Sequence, residues 1–412
     1  MNRRTFLRAS AGVSAAPFLA SSVRSVESTP LRIAAANSVY YKLSHAYHIL
    51  GRMIDGYTIN GKLHKPSVQI QRIYNQQYHA DGRMKDLARP LSKRTGIPLV
   101  NSVAEAVGNA DLDGVLLIAE HGDYPQNTRG QILYPRADFF EQIVSAFRTA
   151  KRTTPVFIDK HLSFDHVHAR KMFDTAKALG FPLMAGSSLP VTWRSPEWEP
   201  EFGANFEEVV VCYHGAHLET WAFHALETAQ CLLERRKGGE VGVKSVQAIS
   251  GQAVWTAWDR GAWSKELAEA ALRRSGSRDF GAPRDHVEDP TAITVEYADG
   301  PRATLLHLPG YIADVTVAVK LKGDRTAHAT QFVLPLPPGA RFFNPLTWYI
   351  EQFLKAKKPS YPVERTLLTS TVLDFAMRSR ADGGKPISHE AMKIAYTVPN
   401  ESWFFRGKYT DE

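Results

Sequence analysis

The chain holds two cysteines, Cys212 and Cys231, in 412 residues. Two thiols cannot build a disulfide framework, and alone they make no metal motif. No apolar run is long enough for a stable membrane span. No internal repeat is visible, nor any long low-complexity tract beyond the first thirty residues. Nor is there a stripe of basic residues interleaved with aromatics. The net charge of +8 is scattered, with short runs only at Arg235-Arg236-Lys237 and Lys355 to Lys358. That pattern argues against a nucleic-acid partner. What remains is ordinary for a globular protein: 44% hydrophobic and 22% charged residues. The length suits two domains, each with its own core.

Residues 1–30 stand apart. Asn2-Arg3-Arg4-Thr5-Phe6-Leu7-Arg8 resembles a twin-arginine export signal, followed by an alanine-rich run from Ala9 to Ala20. The expected cleavage lies near Ala20 to Ser22. This places the mature protein in the periplasm or outside the cell, with the twin-arginine export machinery as a partner. That route carries folded proteins, often loaded with a cofactor.

Glycine is missing where it would matter most. Leu31 to Ala36 reads as a first strand. In a dinucleotide-binding unit it would feed a Gly-x-Gly-x-x-Gly turn, whose bare backbone lets a diphosphate approach a helix. Here Ala36-Asn37-Ser38-Val39-Tyr40-Tyr41 stands there, and no glycine follows this strand until Gly51. A helix over about 44–54 follows, then a loop from Gly56 to Pro66. Ser67 to Tyr74 alternates as a strand. The acidic residue that usually ends this second strand is replaced by Asn75. Asp81 to Thr95 reads as a helix, 96–100 as a third strand, and Ser102 with Glu105 as a capping box. Gly114 to Ala119 is a continuous apolar run, as expected of a strand buried on both faces. It ends in Glu120-His121-Gly122-Asp123. A helix over about 137–151 comes next. Strands alternate with helices throughout, which implies a doubly wound parallel sheet.

The stretch from Thr154 to Pro190 completes that unit. Pro155 to Ile158 is a strand and breaks at Asp159-Lys160-His161. A helix runs from about Phe164 to Leu179, stopped by Gly180. A second strand, Phe181 to Ala185, ends in Gly186-Ser187-Ser188. Ligands of open parallel sheets collect at such carboxyl ends. Beyond Pro190, Phe206 to Tyr213 is a strand, and a long helix runs to about Arg236. Strands recur at 243–250, 292–297, 302–308, 315–321 and 328–334. Helices close the chain at 345–355 and 364–379.

The segment Pro155-Val156-Phe157-Ile158-Asp159-Lys160-His161 is similar to the strand and Glu-Lys-Pro motif of the glucose–fructose oxidoreductase, inositol dehydrogenase and MocA (Gfo/Idh/MocA) family. Asp111 to Ile118 is similar to the family's fourth strand. His217 stands at the place of the histidine in its Asp-x-x-x-His motif, with Tyr213 in the acidic position. The resemblance implies a Rossmann-like domain over 31–190. An α+β domain with a large, mostly antiparallel open sheet follows over 191–385, and a C-terminal tail over 386–412. It implies NAD or NADP as cofactor, bound by Ala36, Asn37, Asn75, Glu120 and His121. Lys160, His217 and Tyr213 would be catalytic, moving a hydroxyl proton. Asp123, His161 and His214 would hold a sugar or polyol. It also implies a homodimer or homotetramer paired through the second sheet.

Three functions remain open on the residues themselves. One is an exported oxidoreductase acting on a sugar, polyol or related carbohydrate. Another is a nucleotide-free lyase, isomerase or hydrolase on keto-sugars. It would use a divalent metal, with His121, His161, His214 and His217 as candidate ligands. The last is a non-catalytic carbohydrate-binding protein that stacks sugars on Trp193, Trp198, Trp255, Trp258 or Trp263. His45, His48 and His224 read as surface or packing histidines.

Overall fold

The computed structural model describes residues 29–109, 111–335, 340–407 and 409. The twin-arginine-like run and its expected cleavage site lie outside them.

The first half alternates as expected. Its elements are β1 (Leu31–Val39), α1 (His45–Asp55), β2 (Tyr57–Ile59), β3 (Lys62–His64), β4 (Val68–Gln77), α2 (Ala88–Thr95), β5 (Leu99–Val100), α3 (Val103–Val107), β6 (Gly114–Ile118), α4 (Arg136–Ala150), β7 (Val156–Asp159), α5 (His166–Leu179) and β8 (Leu183–Gly186). Six strands form one sheet in the order β5-β4-β1-β6-β7-β8, and every pairing is parallel. All five residues of β6 are buried, which explains its unbroken apolar run. Side chains start the helices where the sequence offers them: Ser44 accepts from Tyr47 N–H, Ser102 from Glu105 N–H, and Asp165 from Val167 and His168 N–H. Gly180, at φ +68°, ends α5 in the left-handed region.

Two local expectations change. The loop expected at 56–66 contains the β2–β3 hairpin, turned by Asn60-Gly61 with φ of +50° and +75°. Asn-Gly is the pair that favours such a turn. The helix expected from Asp81 starts only at Ala88. The carboxylate of Asp86 accepts from the N–H groups of Ala88 and Arg89 and fixes the start there. Residues 78–87 fold back as an irregular segment instead.

The second half contains β9 (Arg194–Ser195), β10 (Phe206–Tyr213), α6 (Leu218–Leu233), β11 (Val243–Ser250), α7 (Gln252–Asp259), α8 (Lys265–Leu272), β12 (Thr291–Tyr297), β13 (Arg302–His307), β14 (Val315–Leu321), β15 (His328–Phe332), α9 (Phe343–Ala356) and α10 (Val363–Ala381). Its sheet runs β11-β12-β13-β10-β14-β15-β9. All pairs are antiparallel except β10–β13. Alternation along β10 serves two cores. Val209, Val211 and Tyr213 join the large core, which also holds α6 and α10. Val210 and Cys212 face a smaller one beneath α7 and α8, built on Trp255 and Trp263. These two helices were not expected. They pack on one face of the second sheet, against Val210, Cys212, Ala292, Leu306 and Ala318.

Residues after 385 return to the body. Val246 and Ile387 exchange backbone hydrogen bonds of 2.9 and 2.8 Å, as do Glu240 and Tyr396 at 3.0 Å each. Phe405 N–H donates to Val191 O at 3.0 Å.

Candidate active site

Three strand exits of the first sheet and one helix of the second half build the site. Chain leaves β6 into Glu120 and His121, β7 into Lys160 and His161, and β8 into Ser187. Both His121 (φ +71°) and Lys160 (φ +70°) sit in the left-handed region. Non-glycine residues rarely adopt it, and such strain concentrates at functional sites. Across these exits lies α6, carrying Glu219 and His224.

Lys160 Nζ lies 2.5 Å from His224 Nε2 and 3.8 Å from Glu120 Oε1. On its other side, His224 Nδ1 lies 2.5 Å from Ser187 Oγ. Glu120 is also ion-paired with Arg136. An Arg136 N–H donates to His161 Nε2 at 3.3 Å, and that nitrogen lies 3.6 Å from Glu219 Oε1. The other Glu219 oxygen accepts from Ile132 N–H at 2.8 Å. Beside them, His45 Nδ1 lies 2.6 Å from Asp159 Oδ2. Lys160, Glu120, His161 and Ser187 are each 2% exposed.

Burial dominates the electrostatics. Alone it would raise the Glu120 carboxyl, but Lys160 and Arg136 together hold it well below the usual carboxylate range. The same burial lowers Lys160, and Glu120 opposes that shift. His224 is pushed well below its ordinary value by burial and by Lys160, and His161 is lowered by burial and by Arg136. At neutral pH the site therefore combines a fixed anion, neutral imidazoles and a lysine that releases its proton more readily than usual. Lys160 and His224, in direct contact, can pass a proton between them.

The burial of histidines also fixes how stability responds to pH. Burial pushes His48 and His121 down to about 3 and His214 to about 4, from an ordinary 6.5. The unfolded chain therefore binds more protons below pH 6.5. The stabilising contribution is full above that value and drains away as pH falls towards the folded values. Glu120, also lowered, adds a loss of the same sign at the acid end. The melting temperature is expected to fall steadily from pH 7 to pH 4 in a calorimetric series. A flat profile would contradict neutral burial of these rings.

The other expected site residues are placed as follows. Tyr213 is fully buried in β10, its ring 5.1 Å from that of His307, and burial pushes its hydroxyl up. This makes it a poor proton donor or acceptor. His217 is exposed where α6 begins. His214 is buried with its ring 4.1 Å from Trp221. Asp123 lies at the surface, 3.7 Å from His79. It is His224 that meets Lys160. Read as a packing residue, it lies seven positions after His217, two turns along the same helix face. Thr220-x-x-x-His224 keeps the spacing first placed at Tyr213 and His217. Arg136 and His45 were also missed as site members, whereas Ser187 stood at an expected strand exit.

The four histidines named as metal ligands are not gathered. Among the described residues, the side chains brought close enough to share an ion are Asp165, His166 and Asp374. Those groups already have partners. Asp374 pairs with Arg378 at 3.0 Å and with His166 at 2.8 Å, and Asp165 caps α5. Nor do Trp193, Trp255 and Trp263 offer exposed platforms, being 7%, 7% and 3% exposed. Trp198 stacks on His328 at 4.9 Å.

The β1–α1 turn does not suit a dinucleotide. Residues 78–87 are bonded to a carbonyl of this turn: Leu87 N–H donates to Tyr40 O at 2.9 Å, and Tyr41 pairs with Asp86 in an antiparallel bridge. Ser44 Oγ takes the Tyr41 and Tyr47 N–H groups. The His45 ring sits 5.1 Å from His121 and 5.0 Å from Phe343 at the start of α1. A diphosphate needs open N–H groups at this point.

Comparison with known proteins adds the fold. No family model and no curated protein matches the sequence. Solved structures do match. GenD2 from gentamicin A biosynthesis, in complex with NAD, aligns at TM-score 0.54 and 14% identity, over 88% of this chain and 97% of its own. The myo-inositol dehydrogenase of Lactobacillus casei, in complex with NAD(H) and myo-inositol, aligns at 0.53 and 11%, over 90% and 99%. The myo-inositol 2-dehydrogenase of Lactobacillus plantarum aligns at 0.53 and 12%, over 87% and 99%. This chain has the fold of these dehydrogenases. The two-part architecture implied by the resemblance to the Gfo/Idh/MocA family is therefore present: a parallel Rossmann-like sheet, then a large, mostly antiparallel one.

Proposed function

We propose that this protein is an enzyme acting on a sugar, polyol or related carbohydrate, at a carbon bearing a hydroxyl or carbonyl group. Lys160 and His224 are its proton-transfer pair. One observation carries this reading: Lys160 Nζ is held between Glu120 and His224 at the carboxyl edge of the parallel sheet. Glu120 favours the charged lysine and burial the neutral one, so the group is poised between the two. The matched structures support the substrate class, since myo-inositol is bound in one of them.

Buried polar atoms around the pair support a polyhydroxylated ligand. His121 Nδ1, His161 Nδ1 and Glu219 Oε1 have no hydrogen-bond partner within the protein. Buried polar groups are normally paired, and ligand hydroxyls can both donate and accept. The test is a thermal-shift screen of sugars, polyols and keto-sugars, with hits followed for conversion by NMR. At least one is expected to raise the melting temperature and to be converted. Conversion that survives in Lys160→Met would overturn the assignment.

Export through the twin-arginine pathway is part of the same reading. Replacing Arg3 and Arg4 by lysine is expected to leave the protein in the cytoplasmic fraction of an export-competent host. Release of the variant into the periplasm would exclude that route. Assembly into a homodimer or homotetramer through the second sheet belongs to the same reading.

A further inference from the structure

We propose that this enzyme works without a nicotinamide dinucleotide. In its place, residues 78–87 of its own chain lie over the β1–α1 turn, and the reaction at Lys160 is a redox-neutral proton transfer. The inference rests on the carbohydrate reading above and narrows it to substrates that carry their own carbonyl group.

The first support is how the segment is fastened. It leaves β4, folds back with Asp86 N–H on His79 O at 2.9 Å, and binds the turn through Leu87 N–H and the Asp86–Tyr41 bridge. The segment is thus bonded to the turn that precedes α1. The second support is the end of β4, where a ribose would be held. Tyr124 hydroxyl donates to Gln76 Oε1 at 2.6 Å, and Gln77 exchanges hydrogen bonds with the Asp123 backbone at 2.8 and 3.1 Å. The loop after β6 therefore closes that place from the other side. Asn37 and Asn75 are paired in register on β1 and β4 and are 0% and 2% exposed, with Asn37 Nδ2 and Oδ1 and Asn75 Oδ1 unpaired within the protein.

The remaining groups suffice for chemistry that moves protons only. The neutral Lys160 amine takes the proton from the carbon beside the substrate carbonyl. The C–H electron pair becomes the carbon–carbon double bond of an enediolate, and the carbonyl oxygen takes the negative charge. Return of the proton from the Lys160 ammonium to the former carbonyl carbon, with the proton of the neighbouring hydroxyl passing to the first oxygen so that the carbonyl forms at the neighbouring carbon, completes an isomerisation. Its delivery to a β-hydroxyl, which leaves as water, completes an elimination. His224 is in contact to relay that proton. Every electron pair stays within the substrate and its products, so no hydride acceptor is needed.

The test uses full-length protein matured in an export-competent host. Native mass spectrometry is expected to show no dinucleotide mass. Titration calorimetry with NAD+, NADH, NADP+ and NADPH at millimolar concentration is expected to show no binding heat. Dialysed protein is expected to convert the substrate found in the carbohydrate screen and to place solvent deuterium on its carbon in D2O. A stoichiometric dinucleotide, micromolar binding of any of the four, or turnover only when one is added would overturn the proposal. These outcomes are separate from failure of the carbohydrate reading, which shows as no sugar, polyol or keto-sugar of the screen binding or being converted.

Discussion

Lys160→Met is expected to lower turnover of the identified carbohydrate by about 10²- to 10⁴-fold, the usual contribution of a positioned acid–base group. Methionine keeps the length and apolar stem of lysine, so packing in the buried site changes little. What is lost is the proton carrier between Glu120 and His224. The cost to stability should be small, because burial already disfavours the ammonium. Two controls separate chemistry from folding. The melting temperature of the variant should stay near that of the parent. His224→Gln, which keeps a polar group near Ser187 but cannot cycle a proton in the same way, should lose activity to a comparable degree. The double variant should lose little more than either single one, because residues that act as a unit are not additive. Two losses that multiply would mean that Lys160 and His224 act independently.

Arg365→Met is expected to destabilise the fold by about 3–5 kcal/mol, the usual cost of stranding one partner of a buried ion pair. Both Arg365 and Glu234 have side chains that are 0% exposed. Arg365 grips the carboxylate twice, at 2.9 and 2.5 Å, while the Tyr396 hydroxyl donates to it at 2.9 Å. The guanidinium also lies over Tyr361, 4.7 Å from the ring centroid. Removing it leaves an unpaired carboxylate among aromatic rings. Urea unfolding followed by tryptophan fluorescence would measure the loss. Changing Glu234 to Met in the same chain should recover much of it, because the stranded charge then disappears. A double variant as unstable as Arg365→Met would locate the stabilisation in packing of the arginine stem.

The sequence was readable where a single physical pattern decides an element. The apolar run 114–118 could only be a buried strand, and Ser102, Gly180 and the Asp159-Lys160 break fixed helix ends and a strand exit. The hairpin at 57–64 carried a usable signal in Asn60-Gly61 that was passed over. Helices α7 and α8 were hidden because their eight-residue lengths give periodicity little to work on. The site was only partly readable, since its members come from distant segments. Lys160 and Glu120 stood at strand exits and could be named. Recognising His224 required knowing which face of α6 turns towards the sheet. His217, at the same face but two turns earlier, was the nearer choice in sequence and is exposed in the structure. The missing glycines at 36–41 signalled an altered turn, but that residues 78–87 lie over it follows from long-range pairing that local patterns do not encode.

The position of α10 has a consequence for motion. It packs against α5 and β8 on one side and against α6 and β11 on the other. It is therefore a splint across the two sheets, and a swing of one sheet away from the other would tear a buried helix from its bed. Access to Lys160 then falls to small local movements at the rim. Gly215 lies against Trp221 there, so closely that an added methyl group would come within 2.1 Å of two ring atoms. The Trp221 ring also lies 5.6 Å from that of His224, the residue in contact with Lys160.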